Sequence, residues 1–148
     1  MEPVKTILVP VDFDGPSEAA VDTAIRFAKN LGATIILLHV EPFNLADVPP
    51  GVFYDGPNPS TRARSSARTE LARLAESRAA SGISIGTELR EGIAWDEILG
   101  AARTLNADMI VMGTHGRKGL ARGILGSVAE HVLRNAKIPV MTVRAEVP

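Results

Sequence analysis

The sequence predicts an α/β fold: a parallel, doubly wound sheet of five strands with helices on both faces. Two observations carry that reading. Short, almost wholly apolar runs rich in β-branched residues alternate with longer stretches of helical period along the whole chain. The junctions between them hold turn formers or helix starters, such as Gly15-Pro16-Ser17, Gly32, Gly82, Gly92 and Asn106. Alternation of strand and helix implies right-handed crossovers between parallel strands.

Thr6 to Val11 is short, apolar and β-branched, the signature of a central strand covered on both faces. It ends at Asp12. Ligands of open parallel sheets sit beyond the carboxyl ends of the strands, so Asp12 stands where binding or chemistry happens. Phe13-Asp14-Gly15-Pro16-Ser17 starts a helix that runs to about Leu31, with Val21, Ala24, Ile25 and Ala28 on its inner face. Gly32 closes it. Thr34 to Val40 is a second buried strand. Residues 41–60 hold Pro42, Pro49, Pro50, Pro57 and Pro59, which forbid a long helix or strand. This long crossover, with Phe43, Phe53 and Tyr54, is expected to be a surface excursion or a lid. A second helix is expected over 61–81, with Ala67, Leu71 and Leu74 inward and a solvated face of arginines. Ile83 to Arg90 alternates, as a strand nearer the edge does. A third helix follows Gly92, with Ala94, Ile98, Ala102 and Leu105 in line. Asp108 to Met112 is a fourth, buried strand. Val140 to Arg144 is the fifth, and Pro139 at its start suits an edge.

The 148 residues favour one domain spanning 1–148, long enough to bury roughly two-thirds of its unfolded surface. With no cysteine, disulfides, thiolate metal sites and a cysteine nucleophile are excluded. Sixteen basic and 17 acidic residues give a net charge of −1, too weak a basic field to suggest nucleic-acid binding. No apolar run is long enough to span a bilayer, and Met1 to Lys5 lacks the layout of a secretory signal, so a soluble cytoplasmic protein is expected. Three histidines in separate elements have no metal-ligand spacing. His39 is expected to pack, and Trp95 to be partly buried core.

The most informative stretch runs from Gly113 to Ser127: a buried strand, a glycine-rich turn, then the apolar-periodic start of a helix at Ser127-Val128. Glycines let backbone N–H groups approach an anion, and a helix N-terminus adds orphan donors and a positive dipole end. His115, Arg117, Lys118 and Arg122 put donors and cations in the same loop. The spacing is neither a Walker A loop nor a dinucleotide fingerprint. Ser127-x-x-Glu130 also reads as a capping box, so the Ser127 hydroxyl has a structural role open to it.

The spacing Gly113-x-x-Gly116, nine residues, Gly126-Ser127 resembles the signature of the universal stress protein family, and the resemblance covers nearly the whole chain. It implies a Rossmann-like sheet of order 3-2-1-4-5, in which Asp12 and Gly113 face one crevice. It implies an ATP-binding member, often with a divalent metal such as Mg2+ or Mn2+, acting as a sensor or regulator in the stress response with slow or no hydrolysis. On that resemblance Gly113, Gly116, Gly126 and Ser127 meet the phosphates; by their place in the same loop, His115 is a further candidate donor and Arg117 a balancing charge. Asp12 lies by the adenosine end, the Val40 backbone meets the adenine edge, and Pro10, Val11 and Met112 line the same pocket. It also implies a homodimer through Val140, Met141, Thr142 and Val143, and an unidentified regulatory protein partner. Asp14 departs from the family, which often carries a small or hydroxyl residue near this point. A second carboxylate there repels phosphates unless a divalent cation or Arg117 balances it.

Two alternatives stay open on the sequence. Ile7 to Gly15 resembles the first motif of haloacid-dehalogenase-type phosphohydrolases, with Asp12 as nucleophile and Asp14 as acid/base, although the final acidic pair of that family is missing. A dimeric scaffold without nucleotide explains the fold but leaves the glycine spacing a coincidence.

Overall fold

The structure, a computed structural model, describes residues 2–42, 51, 59–114 and 125–145, with the backbone alone at 59–63. Among the described residues five strands and four α-helices alternate: β1 (Thr6–Pro10), α1 (Gly15–Leu31), β2 (Thr34–Glu41), α2 (Pro59–Ser77), β3 (Ile85–Glu91), α3 (Ala94–Thr104), β4 (Met109–Gly113), α4 (Ser127–Asn135) and β5 (Val140–Val143). The strands form one sheet of order β3-β2-β1-β4-β5, all neighbours parallel. The chain builds outward from β1 to β3, then returns to the other side of β1 for β4 and β5. The switch point therefore lies between β1 and β4.

The two-residue period of the strands divides the core. Ile7, Val9 and Val11 join Ile35, Leu37 and Val111 on the face covered by α1 and α2. Leu8, Leu38, Ile110 and Met112 join the opposite face, against Ile98, Leu99 and Ala102 of α3 and Ala129 and Val132 of α4. Both faces are buried, which is why the central strands read as continuous apolar runs rather than alternating ones. Truncating Leu37 or Ile110, both fully buried, removes about 2–5 kcal/mol of stability by the usual cavity penalty.

Helix boundaries follow local chemistry. Asp14 caps α1, its Oδ1 accepting from the Ser17 N–H at 3.1 Å. Gly32 ends the helix in the left-handed conformation (φ 68°), its N–H bonded to the Ala28 carbonyl. The second helix is shorter than expected. It stops at Ser77, and residues 79–81 form a separate 3-10 turn closed by Gly82 at φ 77°. The arginine face is not simply solvated: Arg64 pairs with Glu91 of β3, and Arg78 with Asp22 of α1 at 2.8 Å. The third strand runs from Ile85 to Glu91, displaced along the chain from the expected span. Pro139 stands just before the edge strand β5 and offers its carbonyl to the Ile110 N–H at 2.9 Å. Among the described residues no helix is long and apolar enough to cross a membrane. Phe43, Phe53 and Tyr54 of the long crossover lie outside the described residues.

Candidate functional site

At the carboxyl ends of β1, β2 and β4 the sheet opens into a cavity of about 420 Å³, a size suited to a small organic ligand. Of the twelve residues singled out from the sequence, nine line it: Pro10, Val11 and Asp12 after β1, Val40 on β2, Met112 and Gly113 on β4, and Gly126, Ser127 and Val128 at the start of α4. The other three, His115, Gly116 and Arg117, lie outside the described residues, as do Lys118 and Arg122. The lining also includes Ser17, Leu38, His39, Ala94, Ile98, Thr114 and Ala129. Apart from Thr114, which lies in the glycine stretch, these residues belong by pattern to helix faces or core, and no local pattern marks them as lining. They meet at the carboxyl ends of the strands, Ser17 from α1, Leu38 and His39 from β2, Thr114 after β4, Ala94 and Ile98 from α3 and Ala129 from α4.

The wall has two characters. One side is apolar, built from Val11, Leu38, Val40, Ile98 and Met112. The other is the amino end of α4. Its N-cap is Gly126, not Ser127, and no side chain caps it, so the capping-box expectation is corrected. The reason is the closure of the loop: the Gly126 N–H donates to the Thr114 carbonyl at 2.7 Å, and the helix begins one residue later with Ser127. Glu130, freed from the box, pairs with Arg134 at 2.7 Å. Helix geometry leaves the N–H groups of Ser127, Val128 and Ala129 without intrahelical partners, at the positive end of the dipole. These three donors, rather than that of Gly126, are the ones an anion at this wall meets.

The two glycines described in this stretch differ in their reasons. At Gly113 an added Cβ would stand 3.0 Å from the Pro16 backbone, so the residue is required by the close approach of α1 to β4. Gly113→Ala is expected to destabilise the protein by about 1–3 kcal/mol in urea unfolding, through overpacking against rigid backbone. An unchanged midpoint would contradict that close approach. Gly126 has φ −62° and ψ 151°, an extended conformation open to every residue, and it is buried. Backbone conformation does not require glycine there.

The β1–α1 turn carries the charge. Asp12 is half-buried on the cavity wall, its N–H donating to Ser17 Oγ at 3.3 Å. The Ser17 hydroxyl donates in turn to the Asp14 carbonyl at 3.2 Å. Burial, then the hydrogen bond and charge of the neighbouring Asp14, push the Asp12 carboxyl up to about 6, and the Ser17 hydrogen bond only partly offsets this. Asp14 serves as the α1 cap. Its Oδ2 is buried. No lysine or arginine among the described residues lines the cavity.

His39 packs, as expected, and also reaches the cavity. It is buried, its Nδ1 2.7 Å from the Val11 carbonyl and its Nε2 2.9 Å from Glu41 Oε1. Its ring lies 4.6 Å from that of Phe13. Trp95 is half-buried and stacks on His131 at 5.0 Å, while His131 Nδ1 donates to the Ser127 carbonyl at 2.8 Å. Among the described residues no cluster of three or more His, Asp or Glu is placed to hold a metal ion.

An apolar slot beside a bare helix N-terminus, at the switch point of a 3-2-1-4-5 parallel sheet, defines a Rossmann-like α/β domain with a ligand crevice. The chain belongs to the universal stress protein family, whose pattern matches residues 3–144. Universal stress protein MJ0531 of Methanocaldococcus jannaschii is 35% identical over 144 residues, covering 95% of this chain and 82% of that one. The solved structure of MJ0577 from the same organism superposes with a TM-score of 0.81 at 24% identity, over 99% of this chain and 100% of that one. A universal stress protein from Archaeoglobus fulgidus, solved in complex with dAMP, has a TM-score of 0.68 at 23% identity over 96% and 99% of the two chains. The family match and the role of Asp14 as a helix cap leave the phosphohydrolase alternative without support.

Proposed function

We propose that this protein binds an adenine nucleotide in the cavity at the β1/β4 switch point, and that ATP is its ligand. The observation that carries the reading is the joint placement of an apolar slot and the amino end of α4 in one cavity. The base would lie among Val11, Val40 and Met112, and the phosphates would run toward Ser127 and Val128. The A. fulgidus protein of the same fold, solved with dAMP, is in keeping with this reading. The residues fit a nucleotide better than a resident metal. A divalent ion accompanying ATP would rest chiefly on the phosphates, with Arg117 of the loop as a further balancing charge. The proposed role is binding with slow or no hydrolysis, because the sequence carries no recognised set for activating water. Occupancy would then bias the shape or the partners of a cytoplasmic stress-response regulator.

Calorimetry of the refolded, nucleotide-free protein with ATP, ADP, AMP and adenosine tests this. Affinity is expected to rise with each phosphate added, as contacts at α4 and the loop accumulate. Equal affinity for adenosine and ATP would remove the phosphate assignment.

We also propose a homodimer through β5. Val140, Met141, Thr142 and Val143 form the edge beyond β4, and exposed Phe27 and Leu31 of α1 and Leu133 of α4 lie on the helices that pack against β5. An apolar edge of this kind is hazardous unless paired, and a symmetry mate would pair it. Val140→Lys or Val143→Lys should give monomers or aggregates by light scattering. A dimer that persists in both would place the interface elsewhere.

A further inference from the structure

Two non-glycine residues among those described have positive φ: Asn106 at 52° and Phe13 at 64°. Asparagine takes that conformation readily, whereas for a bulky aromatic it is an outlier held in place by its surroundings. Elsewhere this fold uses glycine for the same purpose, at Gly32 and Gly82. A glycine at 13 would satisfy the backbone without strain, so the ring itself is what the position requires.

The ring has a fixed seat. It lies 4.6 Å from the His39 ring, and His39 is buried and held at both nitrogens, by the Val11 carbonyl and by Glu41. Phe13 also packs against the core beneath α1 and α2. Both neighbours of Phe13 are tied to the first turn of α1: Asp12 through its N–H to Ser17 Oγ, Asp14 through Oδ1 to the Ser17 N–H. The left-handed residue lets a connection of four residues leave β1 and start α1 with two carboxyl groups side by side.

We infer that Phe13 is a positioning residue of the cavity: its ring, seated on His39, locks the strained turn that presents Asp12 to the ligand beside Asp14. The consequence for ligand rests on the nucleotide reading above; the consequence for Asp12 does not. Among the described residues, the titratable groups beside Asp12 include Asp14 in its own turn and, on the same cavity wall, His39 of β2 backed by Glu41. Burial first, and then the hydrogen bond and charge of Asp14, raise the Asp12 carboxyl, so its titration reads whether the turn still holds Asp12 buried beside Asp14.

The test uses the full chain with Phe13→Gly, which accepts the left-handed backbone but lacks the ring, and Phe13→Tyr, which keeps the ring. The Asp12 side-chain carboxyl is titrated by carbon NMR in the nucleotide-free protein, and ATP affinity is measured by calorimetry. Wild type and Phe13→Tyr are expected to titrate near 6. In Phe13→Gly the midpoint should fall by at least about one unit toward the ordinary carboxylate range, and ATP affinity by about tenfold, as the turn loses its preorganisation. If Phe13→Gly fails to fold, Phe13→Asn, which also tolerates the backbone, is read in the same way. An Asp12 midpoint unmoved in a folded Phe13 variant overturns the inference, as does an ordinary midpoint in wild type. If wild type binds no ATP, the nucleotide reading fails while the carboxyl titration still decides the role of Phe13.

Discussion

Gly126→Val is expected to weaken ATP binding by about 100-fold or more, roughly 3 kcal/mol, while leaving the fold intact. The backbone at Gly126 already has an extended conformation that valine favours, and its N–H bond to Thr114 survives the change. A side chain there therefore adds no backbone strain. It adds bulk at a residue that lines the cavity and immediately precedes the three orphan N–H groups of α4. On the proposed nucleotide reading, close approach of phosphate to the backbone would be the reason for a glycine there. Calorimetry paired with thermal melting separates the outcomes. Affinity within threefold of wild type, in a variant that melts normally, would sink the phosphate assignment at α4.

The second large effect is on stability and runs through pH. The Asp12 carboxyl, ordinarily near 3.8, is raised to about 6 in the folded protein. The folded state thus holds this proton more tightly than the unfolded chain does. The resulting stabilisation is fully present below about pH 4 and is lost as pH rises through about 6. Two units would correspond to about 3 kcal/mol, but Asp12 is only half-buried and solvent screens it, so about 1–2 kcal/mol is expected. Asp12→Asn removes the ionisable group. It should flatten this part of the profile and raise the melting temperature at pH 7 by several degrees. Urea unfolding of both proteins from pH 4 to 7.5 reads the difference. A profile in Asp12→Asn that parallels wild type would place the proton elsewhere.

Much of this architecture is legible in the residues. A central strand buried on both faces must be apolar at its covered positions, and Ile7 to Val9 is. Gly15-Pro16 and Gly32 bracket α1 because each solves a local backbone problem. The strand order came through family resemblance, since sequence order alone does not fix spatial order. What stayed hidden depends on contacts distant along the chain. Ser127 looks like a cap until the bond between Gly126 and Thr114 moves the helix start by one residue. Asp14 looks like a misplaced charge until its carboxyl is found capping α1. Gly113 reads as a phosphate-loop glycine, yet the approach of Pro16 already demands it. Ser17, Ala94 and Ile98 carry no signature, because a cavity wall is defined by which elements meet. Nothing in the sequence marks an aromatic residue for a left-handed turn.

The protein's own cargo decides whether the crevice holds an adenine nucleotide. Purified protein is denatured, the supernatant is separated by chromatography, and released nucleotide is identified by mass. Adenine nucleotide, followed by recovery of ATP binding on refolding, is the predicted result. Protein that releases none, and whose refolded form binds neither ATP, ADP nor AMP with magnesium present, would contradict the account and leave a scaffold with an empty crevice.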